Sequence, residues 1–309
     1  MTIGPTTEPA AVATGDSASI ASGTASVATR TYRFFRYNMK ITIGLFLVSI
    51  IVGFGYIGPF FVDLELAEVG MVLPPGQAPS AEHWLGVDAN GRDMLAWLID
   101  ATPDSLKVGV MAGALGVIIG ASVGFVAGYY GGWIDTVLRT VTDIWLAIPG
   151  LLVLIVLASM VDVLTLEQMA LVIALFAWMG AARVIRAQVL TLRERQYVEI
   201  ARMSGENGMY IVFLELMPNL MPFLLAAFVG SLIGSILAAI GLEFLGLGAT
   251  HISTLGNILY WQNFYNAVIR GMWWWWGSPI VIFVVLFAGL FIASIGLDEW
   301  ANPRLKERS

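Results

Sequence analysis

An all-α integral membrane protein with six transmembrane helices is the fold class this sequence predicts, and three observations predict it. Of the 309 residues, 58% are hydrophobic and 12% are charged, where soluble domains carry about 25% charged residues. Six apolar runs near the roughly 20 residues needed to cross hydrocarbon can be drawn along the chain. One charged stretch, Tyr197 to Asn219, interrupts them. Glu199, Arg202, Glu206 and Glu215 are too costly to hold inside a bilayer, so this stretch lies outside it.

The elements follow in order. Residues 1–29 are rich in Ala, Thr, Ser and Gly, with only Glu8 and Asp16 charged, and read as a disordered cytoplasmic tail. Segment 30–62 brings Arg30, Arg33, Arg36 and Lys40 ahead of the first span, Ile41 to Val62. That run is too long for a signal-peptide core, so the span is retained. Residues 63–104 form an extracytoplasmic loop. The transmembrane core, 105–300, holds spans near Leu106 to Tyr129, Val137 to Val161, Met169 to Val189, Leu220 to Leu242 and Pro279 to Leu297. Pro149 and Gly150 break the third of the six in its middle, and Pro222, Gly230, Gly234 and Gly241 punctuate the fifth. Close helix packing is the first explanation for such glycines. A loop, 193–219, joins the fourth and fifth spans, and 301–309 is a cytoplasmic C-terminal tail.

Basic residues set the orientation. With the N-terminus inside, the inner side collects Arg30, Arg33, Arg36, Lys40, Arg139, Arg183, Arg186, Arg193, Arg195, Arg202, Arg304, Lys306 and Arg308, against Arg92, Lys107 and Arg270 outside. Both termini and the 197–219 stretch are therefore expected in the cytoplasm. The net charge of -6 decides nothing here, because acidic residues contribute little to this rule.

Several chemistries are missing. There is no cysteine, hence no disulfide framework or thiolate metal site. The three lysines, Lys40, Lys107 and Lys306, never follow a glycine, so no phosphate-cradling G-x-x-x-x-G-K-[ST] loop exists. Energy from ATP, if used, comes from another subunit. Histidine occurs only at His83 and His251, which disfavours a metal site or histidine proton relay. Neither catalytic residues nor a cofactor are expected. Proton-coupled carriers bury acids or bases in mid-span, whereas most charges here fall at span ends.

Within the charged stretch, Met209, Val212, Phe213 and Leu216 recur at i, i+3, i+4 and i+7, one helix face, after the turn-forming Gly205 and Gly208. The stretch resembles the cytoplasmic coupling loop of ABC importer permeases, E-A-A, three variable residues, G, and a hydrophobic stretch ending in L-P. That pattern falls on Glu199, Ile200, Ala201, Gly205 and Met217-Pro218, with Ile200 where alanine is usual and Met217 where leucine is usual. HWLGVDANGRDML from His83, YYGGWIDTVLRTVTDIWLAIPGLLVLI from Tyr129, the stretch from Val184, EFLGLG from Glu243 and the terminal DEWANPRL are similar to the dipeptide, oligopeptide and nickel subgroup. Val87 stands where that subgroup usually has threonine. The resemblance covers about Arg33 to Leu305, and the chain looks like the second, shorter-looped permease of the pair.

The resemblance implies a type I ABC importer permease fold in the cell inner membrane. The implied partners are a second homologous permease, two ABC ATPase subunits, an extracytoplasmic substrate-binding protein and the lipid bilayer, with no nucleic acid. It implies half of a translocation pathway, for peptides first and for oligosaccharides or nickel as alternatives. ATPase docking then falls to Glu199, Ala201, Arg202, Gly205, Met209, Val212, Phe213, Leu216 and Pro218. Burying two or three of the apolar side chains stabilises docking by about 3 to 6 kcal/mol before association costs. From other classes, the same stretch fits an amphipathic helix lying on lipid in a membrane-surface structural or assembly protein, and a secondary carrier remains.

Three residues are pathway candidates: Glu243, Trp273 and Trp274. Glu243 stands where the family usually has serine, while the acid usual four residues earlier is replaced by Ala239. It faces the pathway, snorkels to the interface, or pairs with Arg270. The run Trp273 to Trp276 stacks on sugar rings or forms an interfacial aromatic belt. His83 to Asp93 guards the path or is a turn capping the second span. Asp143 is expected to be structural.

Overall fold

The computed structural model describes residues 36–161, 164–249 and 251–301. The tail 1–29, together with Arg30, Arg33, Arg304, Lys306 and Arg308, lies outside the described residues. Among the described residues the protein is helical, with one isolated bridge between Val87 and Asp93 and no strand. Five helices are long and apolar enough to cross a membrane, or six if one bent pair counts as a span.

Helix α1 (Met39–Ile57) continues through a 3₁₀ turn at Gly58–Phe60. Helix α2 (Met94–Tyr130) is 37 residues long and begins well before the expected Leu106. Asp93 explains the early start: its carboxylate accepts from the Ala96 N–H, capping a helix that then passes through Pro103. Helices α3 (Gly132–Ala147) and α4 (Gly150–Ser159) make up the expected third span but are bent by 75°. Pro149 has no N–H, and it holds Ile148 in the extended region at ψ 128°, so the helix cannot run through.

Helix α5 (Leu166–Leu192) starts on a capping box between Thr165 and Gln168. The short α6 (Gln196–Met203) precedes α7 (Gly208–Phe244), and α8 (Leu255–Phe264) and α9 (Trp273–Ala301) complete the chain. The amphipathic segment and the fifth span, expected as separate pieces, are one continuous helix. Its early part, Ile211–Leu216, is a π-helix in which the Met217 N–H reaches back to the Val212 carbonyl. Pro218 follows directly: a proline clashes with the carbonyl four residues back and cannot bond it, and widening the preceding turn relieves that clash.

Three apolar clusters fill the bundle. One, around Trp97, Trp274, Trp275 and Leu286, fixes the 63–93 loop to α2 and α9. A second joins α2, α4 and α5 through Val108, Leu154 and Met169. The third, at the arginine-bearing end, gathers Phe125, Ile185, Val198, Ile211, Leu216 and Leu220. Glycines on α2 bring it into backbone contact with α5: a Cβ at Gly120 would lie 2.5 Å from the Trp178 carbonyl oxygen. Helices α1 and α9 meet in the same way at Gly44, where an added Cβ would lie 2.5 Å from the Ala293 nitrogen, and the Lys40 ammonium pairs with Glu299 near that end.

Candidate functional site

The 197–219 stretch folds as a helix, a turn and a helix. Helix α6 stops because Gly205 takes φ +82°, where an L side chain is strained. The Glu206 N–H then bonds the Ala201 carbonyl at 3.2 Å and the Gly205 N–H bonds the Arg202 carbonyl at 3.1 Å, a Schellman closure that satisfies the last carbonyls. Asn207 starts α7 by accepting from the Tyr210 N–H at 2.8 Å. A Cβ at Gly205 would meet nothing within 4 Å. The glycine is demanded by backbone conformation, not by crowding.

The four-residue apolar face divides. Met209 and Phe213 are 51% and 53% exposed, while Val212 and Leu216 are 6% and 0% exposed and packed inside the chain's own cluster. The physical reason is the π-helix at Ile211–Leu216, whose wider turn displaces the spacing of an ordinary helix face. Ile200, Met203 and Leu214 join Met209 and Phe213 as exposed apolar side chains on this segment. Periodicity centred on 209–216 missed them. Ile200 and Met203, three residues apart on α6, were findable by the same rule applied one helix earlier. Glu199, Gly205 and Pro218 are exposed, and Ala201 is half-buried. The exposed Arg202 guanidinium lies 5.2 Å over the Tyr129 ring at the end of α2.

A cavity of about 800 Å³ opens between α4, α5, α7 and α9. Its wall is mostly small or apolar: Phe176, Ala177, Gly180, Gly230, Gly234 and Ala238 are typical, and among the described residues Asp298 on α9 is its one ionisable residue. None of the three pathway candidates lines it. Glu243 is 3% exposed, hydrogen-bonded to the Thr254 side chain and the Gly256 backbone, and closely covered by Gly248 and Gly256. It anchors the start of α8, an arrangement that neither snorkelling nor pairing with Arg270 describes. Trp274 is buried and donates from Nε1 to the Val87 carbonyl at 3.1 Å. Trp275 is fully buried and stacks on Tyr265, ring centroids 5.9 Å apart. Half of the tryptophan run is therefore loop-binding core, and Trp273 and Trp276 carry the exposed faces.

The 83–93 segment folds as a cap on α2. The Asp93 carboxylate accepts from Ala96 and lies 2.7 Å from His83 Nδ1. Asp88 is fully buried and accepts from the Asn90 and Arg92 N–H groups, each at 2.8 Å. Burial pushes its carboxyl above the ordinary range, opposed by those N–H groups and by the Arg92 charge. The Arg92 guanidinium lies over Trp97, 4.2 Å from its centroid, and 5.8 Å from that of Trp261. At the other end of the bundle Asp143 accepts from Arg183 at 2.6 Å and Asp135 holds Arg186 through both carboxylate oxygens, pinning α3 onto α5.

Comparison with known proteins agrees with this architecture. Residues 116–307 match the family described as binding-protein-dependent transport system inner membrane component. The glutathione transport system permease protein GsiD of Pectobacterium atrosepticum is 30% identical over 217 residues, covering 70% of this chain and 71% of that protein. The dipeptide transport system permease protein DppC of Alkalihalophilus pseudofirmus is 32% identical over 220 residues, 71% of each chain. Among solved structures, inward facing conformations of the MetNI methionine ABC transporter match with a TM-score of 0.50 and 21% identity, over 66% of this chain and 97% of that one. This likeness shows the shared type I importer permease fold. By fold, by motif and by descent, this chain belongs to the family of binding-protein-dependent transport system inner membrane components, a multi-pass permease subunit and not a catalytic one.

Proposed function

We propose that this chain forms one half of the peptide pathway of an ABC importer and takes its energy through the 197–219 segment. One observation carries the reading: Met209, Phe213 and Leu214 are exposed apolar side chains on the same continuous helix as a membrane span, and Ile200 and Met203 extend that surface onto α6 across the Gly205 turn. Apolar side chains held out on a capped helix end are a docking surface, and no nucleotide-binding loop exists in this chain to use them itself. An ATPase subunit at the cytoplasmic face is the partner. Charge pairing by Glu199 and by Glu206 sets register more than affinity.

The docked segment cannot bend freely, because Gly205 is closed by Schellman bonds and α7 has no break before the span. Closing two ATPases around ATP therefore displaces the start of α7 and tilts the wall of the cavity. A second homologous permease supplies the facing wall, and an extracytoplasmic binding protein delivers the substrate. The peptide assignment rests on the relatives named for glutathione and dipeptide transport. A wall that is almost free of charge suits passage of varied peptides, leaving selection to the binding protein.

The test is ATP-dependent uptake of labelled peptide into proteoliposomes holding all subunits. Gly205→Trp is expected to insert normally yet lose uptake. Unchanged uptake in that variant, or uptake abolished by a proton uncoupler with ATP present, overturns the reading. Purification of the permease free of any ATPase points instead to a membrane-surface assembly role.

A further inference from the structure

The docking segment is covalently continuous with α5 on one side and α7 on the other, and it is also held by a helix to which it is not joined. Tyr129, in the last turn of α2, sits half-buried with its ring under the Arg202 guanidinium, 5.2 Å away. On its other flank a Cβ at Gly208 would lie 2.9 Å from Tyr129 Cε1 and 3.2 Å from the Tyr130 hydroxyl, so the first residue of α7 rests directly on this pair. Tyr130 meets Tyr129 edge to face, centroids 5.2 Å apart. The Arg193 guanidinium adds a hydrogen bond of 2.9 Å to the Gly128 carbonyl. The end of α2 is thus gripped between the end of α5, the last turn of α6 and the first turn of α7.

We propose that Tyr129 is a positioning residue for energy coupling, passing displacement of the docking segment into α2 through its ring contacts with Arg202 and Gly208. This rests on the reading of 197–219 as the docking segment. Its consequence reaches the opposite face of the membrane. Helix α2 has 37 residues, about 55 Å at 1.5 Å per residue. Its glycines lie against α5 without slack, since a Cβ added at Gly120 or Gly124 would fall 2.5 or 2.9 Å from the Trp178 or Ala182 carbonyl oxygen, so α2 moves as a body with α5 and does not absorb the displacement. At the far end the Asp93 cap, bonded to His83, and Arg92, stacked on Trp97, tie α2 to the 83–93 segment. Arg202 thereby acts inside the permease, and Ile200, Met203, Met209, Phe213 and Leu214 are left to face the partner.

The ring face, not mere bulk, is what this assignment requires, because the quadrupole of the ring holds the guanidinium. Tyr129→Phe keeps the face and Tyr129→Leu keeps apolar volume without it. Both are measured in the complete importer in proteoliposomes, for retention of the ATPase subunits, basal hydrolysis, and stimulation of hydrolysis by peptide-loaded binding protein. Tyr129→Phe is expected to stay within about two-fold of the unaltered importer throughout, and Tyr129→Leu to keep its ATPases and basal rate while stimulation falls about five-fold. Stimulation preserved in Tyr129→Leu overturns the proposal, as does an equal loss in Tyr129→Phe. Loss of the ATPase subunits from Tyr129→Leu also overturns it, since Tyr129 would then serve docking. Failure of the unaltered permease to retain ATPases overturns the docking reading itself, and this proposal with it.

Discussion

Two sets of glycines in this bundle are put to opposite uses. On α2, Gly113, Gly116, Gly120, Gly124 and Gly128 face neighbouring helices so closely that an added Cβ would fall 2.5 to 3.1 Å from Leu232, Ala177, Trp178, Ala182 and Val189 atoms. On α5 and α7, Gly180, Gly230 and Gly234 would place a Cβ in open space, with nothing within 4 Å, and all three line the cavity. In a bilayer there is no hydrophobic drive between helices, so close backbone approach is what holds α2, α5 and α7 together. The second set has no such neighbour and leaves the cavity open. Small residues at helical spacing mark a face; what occupies that face is decided by the helices around it.

The comparison breaks first on stability. Gly120→Leu forces a side chain into the Trp178 backbone, which cannot rotate away, and overpacking of that kind costs about 3 kcal/mol. Gly180→Leu points into the cavity and is expected to melt with the unaltered protein in detergent. Equal losses in both would mean that the cavity wall is closed in the assembled importer. Next comes function. Gly234→Leu should fold normally and lower peptide uptake about ten-fold by narrowing the passage, with steric misplacement acting mainly on transport. Full uptake in that variant would move the route elsewhere.

Gly205 belongs to neither set, and it sharpens the contrast. Its surroundings are open like those of Gly230, yet its φ of +82° makes any side chain costly. Gly205→Ala is expected to cost about 1 to 2 kcal/mol of local strain, read as weaker ATPase retention with unchanged melting of the membrane core. Gly205→Asn should be milder, because asparagine tolerates the left-handed region.

These differences explain what was legible in the sequence. Membrane class, the spans at α1, α5 and α9, the break at Pro149 and the turn at Gly205 each follow from a local rule, since hydropathy, a missing N–H and a positive φ act within a few residues. The long start of α2 was hidden because Asp100, Pro103 and Asp104 look like loop residues, while the signal that mattered was the Asp93 cap. Val212 and Leu216 were placed on an outward face because the reading assumed an ordinary helix turn, and the π-helix ahead of Pro218 changed the period. Glu243 and Trp274 looked like pathway residues because a polar or aromatic group in a span is usually functional. Their partners, Thr254 with Gly256 and the Val87 carbonyl, come from segments distant in sequence or from backbone, and no one-dimensional pattern reports them. Gly230 and Gly234 read as packing glycines for the same reason.

The smallest effect is the most discriminating, because its sign reverses between the two sets. Replacing a helical glycine by alanine gains about 0.5 to 1 kcal/mol from reduced backbone freedom in the unfolded chain. At Gly230 nothing opposes that gain, since the new methyl group enters open space. Gly230→Ala should therefore raise the melting temperature slightly. At Gly116 the same methyl would lie 2.6 Å from the Ala177 Cβ and 3.0 Å from its backbone carbon, and separating the two helices to relieve it costs more than about 1 kcal/mol. Gly116→Ala should lower the melting temperature. Opposite signs from the same one-methyl change would tie the difference to the neighbouring helix and not to glycine itself; matching signs would show that α2 and α5 can part without cost, and the rigid bundle on which coupling depends would lose its basis.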